Sequence, residues 1–320
     1  MADISLILYK NSKAYDISEL AENIKWKGRK GSAARTLSVS LVDTEKVKSG
    51  IDVTNGDHIV FSFKGEELFR GIVMSQQQSE SFKMPITAYD NGIYLANNKD
   101  TFVYENKTVH DIFIDICKRF GIKYSEVTAT SYKIPELIKS KTTAWDAILD
   151  AVSQDFKATG TKYYVCSSKG VLSLLKRREN ILQWVLETGG NIISYNYKKS
   201  IEDIKTRLKI LSDEDTVYAV KKNESLEMKI GIFQDIEKKD DDISQAKLAE
   251  QIGETFKKIS TPEISLDVEA FGIPDVISGT GVYVKIDPLN INRSFWVDED
   301  THTFKENSHI MKLKLNSVDE

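Results

Sequence analysis

The sequence predicts an α+β protein that is mainly β, built from two similar small β-barrel domains with an α+β module between them. Three observations carry this prediction. Short alternating apolar runs fill both ends of the chain, two helical patterns occupy its middle, and the order of the first runs recurs near the C-terminus. Alternation with period two is typical of half-buried strands, and apolar residues three and four positions apart indicate helices.

The length of 320 residues exceeds what one ordinary core holds, so several domains are expected. We expect a first β-barrel, tube-like domain over residues 1–92 and an α+β peripheral module over 93–190. A second β-barrel, tube-like domain is expected over 191–320, with one inserted helix at about 243–259.

The first domain is predicted from apolar runs separated by turns. The runs lie at 4–8, 37–42, 58–64, 68–74 and 82–89. Glycine-containing turns at Gly50, Asn55-Gly56 and Lys64-Gly65 separate several of them. Short strands at this spacing, without helices between them, predict a small barrel or sandwich.

The central module is predicted from two helices and a hairpin. Thr108 can cap a helix that runs to Phe120, with Gly121 as its stop. A second helix begins at Thr142 or Thr143 and runs to about Phe156. Two apolar runs then flank the turn residues 168–170, which predicts a hairpin.

The C-terminal domain is predicted to return to β structure. The expected strands lie at 192–197, 207–211, 217–220 and 228–233, followed by the helix and by four strands after Pro262. The acidic run Asp240–Asp242 precedes the helix, where negative charge is favourable. It lacks the alternating ligands and the glycine of a calcium loop, so a solvated helix entry is the favoured interpretation.

Four runs near the N-terminus match four runs near the C-terminus in the same order. The first run, Leu37, Val39 and Leu41, matches Ile264, Leu266 and Val268, and the turn Gly56-Asp57 then matches Gly279-Thr280-Gly281. The second run, Ile59, Phe61 and Phe63, matches Val282, Val284 and Ile286, and the third, Leu68-Phe69, matches Ser294-Phe295. The fourth run, Met84, Ile86 and Ala88, matches Met311, Leu313 and Leu315. The match predicts one β-domain used twice. Two unrelated sheets remain the alternative, because all strands share period two.

Composition excludes several classes of protein. The formal net charge of −4 argues against a nucleic-acid binder that works by releasing counterions. Cys117 and Cys166 lie far apart without a CxxC pair, which predicts neither a disulfide framework nor a zinc site. The N-terminus resembles a strand and not a signal peptide, so folding in the cytosol is expected. No run is long enough for a membrane span.

Catalytic motifs are absent from the sequence, which contains no nucleophile elbow, no P-loop, no dinucleotide fingerprint and no H-E-x-x-H. A metal at His302 and His309 would need a third ligand such as Asp298 or Asp300. A solvated hairpin is the favoured interpretation of that pair. We therefore expect no catalytic residues, no metal and no cofactor.

Two tryptophans and an arginine are candidates for a subunit interface. Trp26 and Arg29 lie in the strongest basic cluster, residues 25–31, and Trp296 lies in a β region beside charged neighbours. Amphipathic aromatic side chains are common at interfaces. An anion site, an ordinary exposed turn and burial in the core are the competing interpretations.

Residues 86–122 carry a resemblance to a known family. The strand end Ala88-Tyr89-Asp90 leads through Leu95 and residues 98–101, Asn-Lys-Asp-Thr, to a helix start at 106–108, Asn-Lys-Thr. This stretch resembles the baseplate hub proteins of contractile phage tails and phage-tail-like bacteriocins, the XkdQ/YqbQ-type family. Residues 191–209 also resemble the opening of that family's second half.

The resemblance implies a non-enzymatic homotrimer whose two similar β-domains per chain form a pseudo-sixfold ring. Such a hub would adapt the hexameric tail tube to a trimeric central spike, with the α+β module at the periphery. Its expected partners are its own copies, the tail tube protein, the central spike protein and other baseplate proteins. DNA would be passing cargo only, in an infectious phage, and no membrane insertion is expected. The expected location is the baseplate of a virion or phage-tail-like particle assembled in the bacterial cytoplasm.

Two other functions stay open at this point. The acidic pairs and the α+β module permit a tail-associated peptidoglycan hydrolase, although no motif supports it. The β-domains and the 13 tyrosines permit a carbohydrate- or receptor-binding tail module. Within the hub hypothesis, the negative net charge suits a channel that repels DNA.

Overall fold

A computed structural model gives the structure of the chain and describes residues 3–42, 51–78, 80–177, 181–212, 216–238, 245–305 and 308–317. The chain forms two compact units. The larger lies within Met1–Tyr195 and Asp267–Glu320, and the smaller within Asn196–Leu266.

The first strands of the larger unit bury one face of each apolar run. They are β1 (Ile4–Lys10), β2 (Lys13–Asp16), β3 (Ala21–Arg29), β4 (Thr36–Val42), β5 (His58–Phe63), β6 (Glu66–Gln76) and β7 (Lys83–Asp90). The five predicted strands are confirmed as β1, β4, β5, β6 and β7. Leu37, Val39 and Leu41 on β4 are buried and alternate with half-buried neighbours, as period two requires.

The middle of the chain packs three helices against two small sheets. Its elements are α1 (Ile93–Asn97), β8 (Lys99–Lys107), α2 (Val109–Arg119), β9 (Tyr124–Val127), β10 (Ile134–Thr143), α3 (Ala144–Thr159), β11 (Tyr163–Ser168) and β12 (Val171–Lys176). Thr108 caps α2 by accepting from the backbone N–H of Asp111, and Thr143 caps α3 in the same way. Both predicted helices and the predicted hairpin are confirmed, whereas β8 and β10 were not predicted.

The remaining elements are β13 (Ile181–Glu187), β14 (Ile192–Ser200), β15 (Arg207–Leu211), β16 (Val217–Lys222), α4 (Glu224–Ile230), β17 (Gln234–Lys238), α5 (Gln245–Ile259), β18 (Glu263–Phe271), β19 (Gly281–Ile286), β20 (Ile291–Lys305) and β21 (Ser308–Ser317). The four strands predicted after Pro262 are confirmed as β18 to β21. The predicted acidic helix entry, Asp240–Asp242, lies outside the described residues.

The smaller unit holds a three-stranded sheet in the order β16-β15-β17. Leu208 and Ile210 of β15 pack with Phe256 of α5 and form its core. The strand predicted at 228–233 is wrong. Residues up to Ile230 belong to α4, because the side chain of Asn223 caps that helix by accepting from the backbone N–H of Leu226.

The main sheet runs in the order β14-β18-β21-β20-β3-β4-β7-β6-β5-β1-β2, with β19 also beside β20 and β13 beside β19. Among the described residues, no sheet closes on itself. The mainly β class is confirmed, and the two barrels stay a prediction, as do the three domain boundaries.

Two regions of this sheet have the same strand order. We call β4 to β7 the first sheet region and β18 to β21 the second sheet region. Their strands pair as β4-β7-β6-β5 and β18-β21-β20-β19. One further strand flanks each side of each region. In the first region β3 lies beside β4 and β1 beside β5, and in the second region β14 lies beside β18 and β13 beside β19. β1 is antiparallel to β5, whereas β13 is parallel to β19.

The residue registers of the two regions also agree. Ile59 faces Gly71 across β5 and β6, and Val282 faces Phe295 across β19 and β20. Gly71 in turn faces Asp90, whereas Phe295 faces Ser317. The offsets are 282 − 59 = 223, 295 − 71 = 224 and 317 − 90 = 227.

This register corrects one pairing made from sequence. The counterpart of Phe295 is Gly71, two residues beyond Phe69, which the sequence match had aligned with it. The error arose because a shift of two residues preserves the alternation of buried and exposed side chains.

One irregular feature also coincides in the two regions, although the register shift at Phe61–Ser62 between β5 and β6 has no counterpart between β19 and β20. A β-bulge follows Val73 in β6 and Val297 in β20. Val73 exchanges two backbone hydrogen bonds with Gly56 and Asp57, both 2.8 Å, and Val297 does so with Gly279 and Thr280 at 3.0 and 2.9 Å.

The turn glycines share a backbone conformation that L-residues with side chains rarely adopt. The φ angle is +97° at Gly56 and +98° at Gly279. Shared bulges and shared positive-φ turns are not explained by the common period of strands, so the agreement favours duplication.

Candidate functional site: the joint between β3 and β20

The two sheet regions meet where β3 pairs antiparallel with β20. The register runs from Ile24 opposite Phe304 to Arg29 opposite Glu299. We call this pairing, residues 24–29 with 299–304, the joint. All three interface candidates from the sequence lie on its two strands.

Both tryptophans are buried within the chain. Trp26 is 4% exposed, and the guanidinium of Arg35 lies 4.1 Å from the centre of its ring. Trp296 is also 4% exposed, with the guanidinium of Arg177 4.8 Å away. Each ring is thus covered by an arginine, an arrangement that stabilises the cation over the π face.

Arg29 is the exposed member of the three. Its side chain is 73% exposed, and its Nε lies 3.5 Å from Glu299 Oε1 across the joint. A role for Trp26, Arg29 and Trp296 in contacts between subunits stays a prediction. Because both rings are buried in the protomer, Arg29 is the one of these three residues that a partner can reach.

A buried ion pair fastens the joint. Arg35 follows β3 in the chain, and its two terminal nitrogens donate to both carboxylate oxygens of Asp300 on β20, one at 2.9 Å. Asp300 also accepts from the backbone N–H of Ser278, and Arg35 donates to the Ser278 hydroxyl at 3.3 Å. Bidentate charge-assisted bonds of this kind fix orientation as well as contributing energy.

A second carboxylate supports Arg35 from the end of β7. Asp90 accepts from the backbone N–H groups of Arg35 at 3.1 Å and of Gly92 at 2.9 Å. Burial raises the pKa of Asp90 to about 6, although these hydrogen bonds oppose the rise. Asp90 therefore gains its proton at a higher pH than an exposed aspartate does.

Two histidines lie beside the ion pair. Nε2 of His302 lies 3.0 Å from the carbonyl oxygen of Val276, so that nitrogen carries the proton and donates. Nδ1 of His302 then accepts from Nε2 of His309 at 2.9 Å. Burial lowers the pKa of His302 to about 4 and that of His309 to about 3, so both rings are neutral at pH 7.

His302, His309 and Asp300 are each paired with other groups at the joint, and His302 is fully buried, so the solvated hairpin expected for the two histidines is wrong. The facing nitrogens of His302 and His309 already share a hydrogen bond, and Asp300 is occupied by Arg35. Within the described ranges, no group of three histidine, cysteine, aspartate or glutamate side chains is arranged to hold a metal ion. The groups at the joint pair with one another, which suits a structural contact.

The two cysteines are poor nucleophiles. Burial raises the pKa of Cys117 to about 12 and that of Cys166 to about 11, so both thiols stay protonated at pH 7. The reactive form of cysteine is the thiolate, which is scarce here.

A cavity of about 330 Å³ adjoins the joint. Its lining comes from the loop 29–35, one side of α3, β11 and the loop 277–279. Apolar side chains such as Ile148 and Val152 form much of it, and Nε1 of Trp145 donates to the carbonyl oxygen of Gly31 at 3.0 Å. A cavity of this size accommodates an apolar group.

Sequence reasoning found one strand of the joint only in part and missed its ion pair. Asp300 had been considered as a metal ligand, and Arg35 was not singled out. The available indication was a lone arginine next to the small residues Ser32, Ala33 and Ala34. Nothing local marks its partner, which lies 265 positions away.

No helix in the described part of the chain is both long enough and apolar enough to cross a membrane.

Comparisons with known proteins agree with the fold. The YQBQ-like family model matches residues 24–316. The chain is 34% identical over 317 residues to the protein YqbQ and 35% identical to the phage-like element PBSX protein XkdQ, both from Bacillus subtilis strain 168. Each match covers 98% of this chain and 96% of the relative.

A solved structure shares the fold at low identity. The 43 kDa tail protein of prophage MuSo2 from Shewanella oneidensis superposes with a TM-score of 0.77 at 15% identity, over 100% of this chain and 98% of that one. The resemblance stated from residues 86–122 to the XkdQ/YqbQ-type family is therefore confirmed, and the chain belongs to the YQBQ-like family.

Proposed function

We propose that this protein is a structural baseplate hub of a contractile phage tail or phage-tail-like particle. Three copies form a ring in which six similar sheet regions surround the axis. This ring adapts the hexameric tail tube on one side to a trimeric central spike on the other. The chain acts without catalysis and takes its place in the particle during assembly in the bacterial cytoplasm.

The observation that carries the proposal is the agreement between the two sheet regions. They share strand order, residue register, the bulge after Val73 or Val297, and the glycine turn at Gly56 or Gly279. A chain with two equivalent regions lets a threefold assembly present six similar surfaces. This is the property that a connector between a trimer and a hexamer requires.

The joint supports the same proposal. A ring of six similar regions needs a rigid contact between neighbours, and within the chain the joint supplies one through β3, β20 and the buried Arg35–Asp300 pair. The groups at the joint are neutralised or paired, which favours a contact surface over a reaction centre.

The tail tube protein, the spike and other baseplate proteins are the proposed partners. Support comes from the family and from the names of its relatives, a phage-like element protein and a prophage tail protein. DNA is proposed only as cargo that passes through the ring.

Solution mass across a concentration series tests the trimer, because subunit association depends on concentration. The isolated chain and the chain mixed with its spike and tube proteins are measured side by side. We expect three copies per complex in the mixture. One copy, or an even number, contradicts the proposal. Zymography on cell-wall substrate tests the absence of hydrolase activity, and a cleared band contradicts it.

A further inference from the structure

We infer that the joint is repeated between chains: β14 of one copy pairs antiparallel with the end of β6, near Gln76, of a second copy of this chain. This inference rests on the proposed ring and names its contact surface. It follows from three steps, each taken from the correspondence of the two sheet regions.

The first step compares the strands that flank the two regions. β3 lies beside β4, and β14 lies beside β18 at the corresponding position. β3 uses its other edge to pair with β20. β14 ends the described sheet, so its other edge has no strand beside it within the described residues. An unpaired edge of a nine-residue strand presents free N–H and C=O groups that can accept another strand.

The second step compares the strands that receive this pairing. The segment of β20 in the joint, Glu299–Phe304, begins directly after the bulge. The offset of 224 between β20 and β6 makes Ser75 the counterpart of Glu299. The corresponding segment of the first region therefore begins at Ser75, directly after the equivalent bulge in β6. Beyond Ile72, no described strand pairs with the side of β6 that faces β5. At Ser75 and Gln76, the last two residues of β6, the first region thus carries an uncovered counterpart of the start of the surface that β3 covers in the second.

The backbone geometry of this segment fits an incoming strand. The N–H of Gln77 donates to the carbonyl oxygen of Pro85 on β7 at 2.9 Å. Neighbouring N–H groups in an extended strand point in opposite directions, so the N–H of Gln76 points away from β7. That is the direction from which β14 of a second copy would approach.

The third step concerns side chains. Gln76 is the counterpart of Asp300, because the two face the equivalent residues Ile86 and Leu313. Asp300 receives Arg35 across the joint, whereas the buried Oε1 of Gln76 has no hydrogen-bond partner among the described residues. A buried polar oxygen without a donor is costly. Because the protomer itself encloses this oxygen, a donor from a second copy would meet it only after the Gln76 side chain turns outward.

Burial along the two flanking strands agrees. Ile24 and Trp26 of β3 are buried and alternate with exposed Lys25 and Lys27. Tyr195 and Tyr197 of β14 alternate in the same way with exposed Asn196 and Lys198 but stay partly exposed. The exposed apolar residues Met74 and Ile193, at 44% and 48%, lie at the two surfaces that this pairing brings together.

A matched pair of variants tests the inference in particles and in the mixture with spike and tube proteins. Gln76→Pro removes the outward N–H, and Gln76→Ala removes the same side chain but keeps that N–H. Because only Gln76→Pro loses the outward N–H, we expect it to lower the fraction of assembled trimer about tenfold or more relative to Gln76→Ala. A tenfold change in an association constant corresponds to about 1.4 kcal/mol. Equal assembly of the two variants overturns the inference.

A photo-crosslinking residue at the exposed position Gln78 tests it without reliance on proline. We expect crosslinks to a second copy, within the peptide that contains residues 192–200. The same residue placed at exposed Glu136 is the control and should give no such product. Crosslinks from position 78 to another part of the chain, or to another protein, overturn the inference.

The two failures are distinguishable. Assembled trimers with crosslinks elsewhere contradict the paired edges and leave the trimeric hub standing. Absence of a trimer in the wild-type mixture contradicts both.

Discussion

The first and second sheet regions have the same strand order but use their central hairpins differently. In the second region the β20–β21 hairpin continues to Lys305 and Ser308, and β3 pairs with its outer side. In the first region β6 ends at Gln76, and no described strand covers the corresponding side. The two regions thus differ at the outer side of the central hairpin, which β3 of the same chain covers in the second region and no described strand covers in the first. The difference agrees with the inference that the covering strand of the first region comes from another molecule.

The largest effect should distinguish Asp300 from its counterpart Gln76. Asp300→Asn leaves the buried guanidinium of Arg35 without its carboxylate, and breaking a buried pair costs about 3–5 kcal/mol. Gln76→Ala removes an oxygen that lacks a partner in the protomer, and should change the free energy of unfolding by less than about 1 kcal/mol. Denaturant titration of both monomeric variants measures the difference. Similar losses would show that the two surfaces do not differ in the protomer.

Equivalent core positions should respond alike. Ile86 and Leu313 face the same positions of the two regions and are 1% and 2% exposed. Truncation of either to alanine should lower the free energy of unfolding by about 2–5 kcal/mol. The thermal unfolding midpoints of the two variants provide the measurement. A large loss for one and almost none for the other would break the equivalence of the cores.

The turn glycines should show a graded difference. Alanine at Gly56 or Gly279 must adopt a positive φ, which costs about 1–2 kcal/mol. At Gly279 the added Cβ would also lie 2.7 Å from the Tyr164 ring, whereas nothing lies within 4 Å at Gly56. Gly279→Ala should therefore destabilise the protein more than Gly56→Ala, as measured by urea titration. The reverse order would contradict the described turn geometry.

The smallest effect concerns acid stability at the joint. The folded pKa of His302, about 4, lies below its ordinary value of 6.5, so the unfolded chain binds more protons between these values. The stability that His302 contributes is thus present above pH 6.5 and is lost as the pH falls towards 4. Asp90 acts in the opposite direction, because its folded pKa of about 6 exceeds its ordinary 3.8 and favours the folded state as the pH falls.

Asp90→Asn removes that opposing contribution. The variant should lose stability more steeply than the wild type as the pH falls from 6 to 4. Unfolding midpoints measured at intervals across this range test the sign. A shallower loss in Asp90→Asn would show that Asp90 does not bind its proton in the folded state as described.

Local pattern accounts for most of the sheet prediction. Apolar residues recur along β5, β7, β19 and β21, and their alternation predicts which face of each strand is buried. The cap at Thr108 marks the start of α2. The apolar residues of 228–233 gave a wrong strand because they are exposed on α4 and the loop after it: Met228 is 83% exposed. Hydrophobicity predicted burial there, whereas the cap at Asn223 decides the structure.

The joint could not be predicted from local pattern. The sequence of β3 contains a glycine, several basic residues and the two buried residues Ile24 and Trp26. This composition is as typical of a basic turn as of a strand. Its pairing with residues 299–304 and the Arg35–Asp300 bond join parts of the chain more than 260 positions apart. Such contacts depend on the whole sheet order, which a short window of sequence does not contain. Trp26 and Trp296 were expected only in β regions, with burial and contact with a partner both open, and the structure buries each ring beneath an arginine.

An electron cryomicroscopy reconstruction of the assembled tail particle tests the central claim most directly. We expect three copies of the chain in one ring, with the first and second sheet regions alternating at intervals of about one sixth of a turn. β14 of each copy should lie beside the end of β6 of the next. A single copy on the axis, or three copies whose two sheet regions lie at different radii and do not superpose, would contradict it.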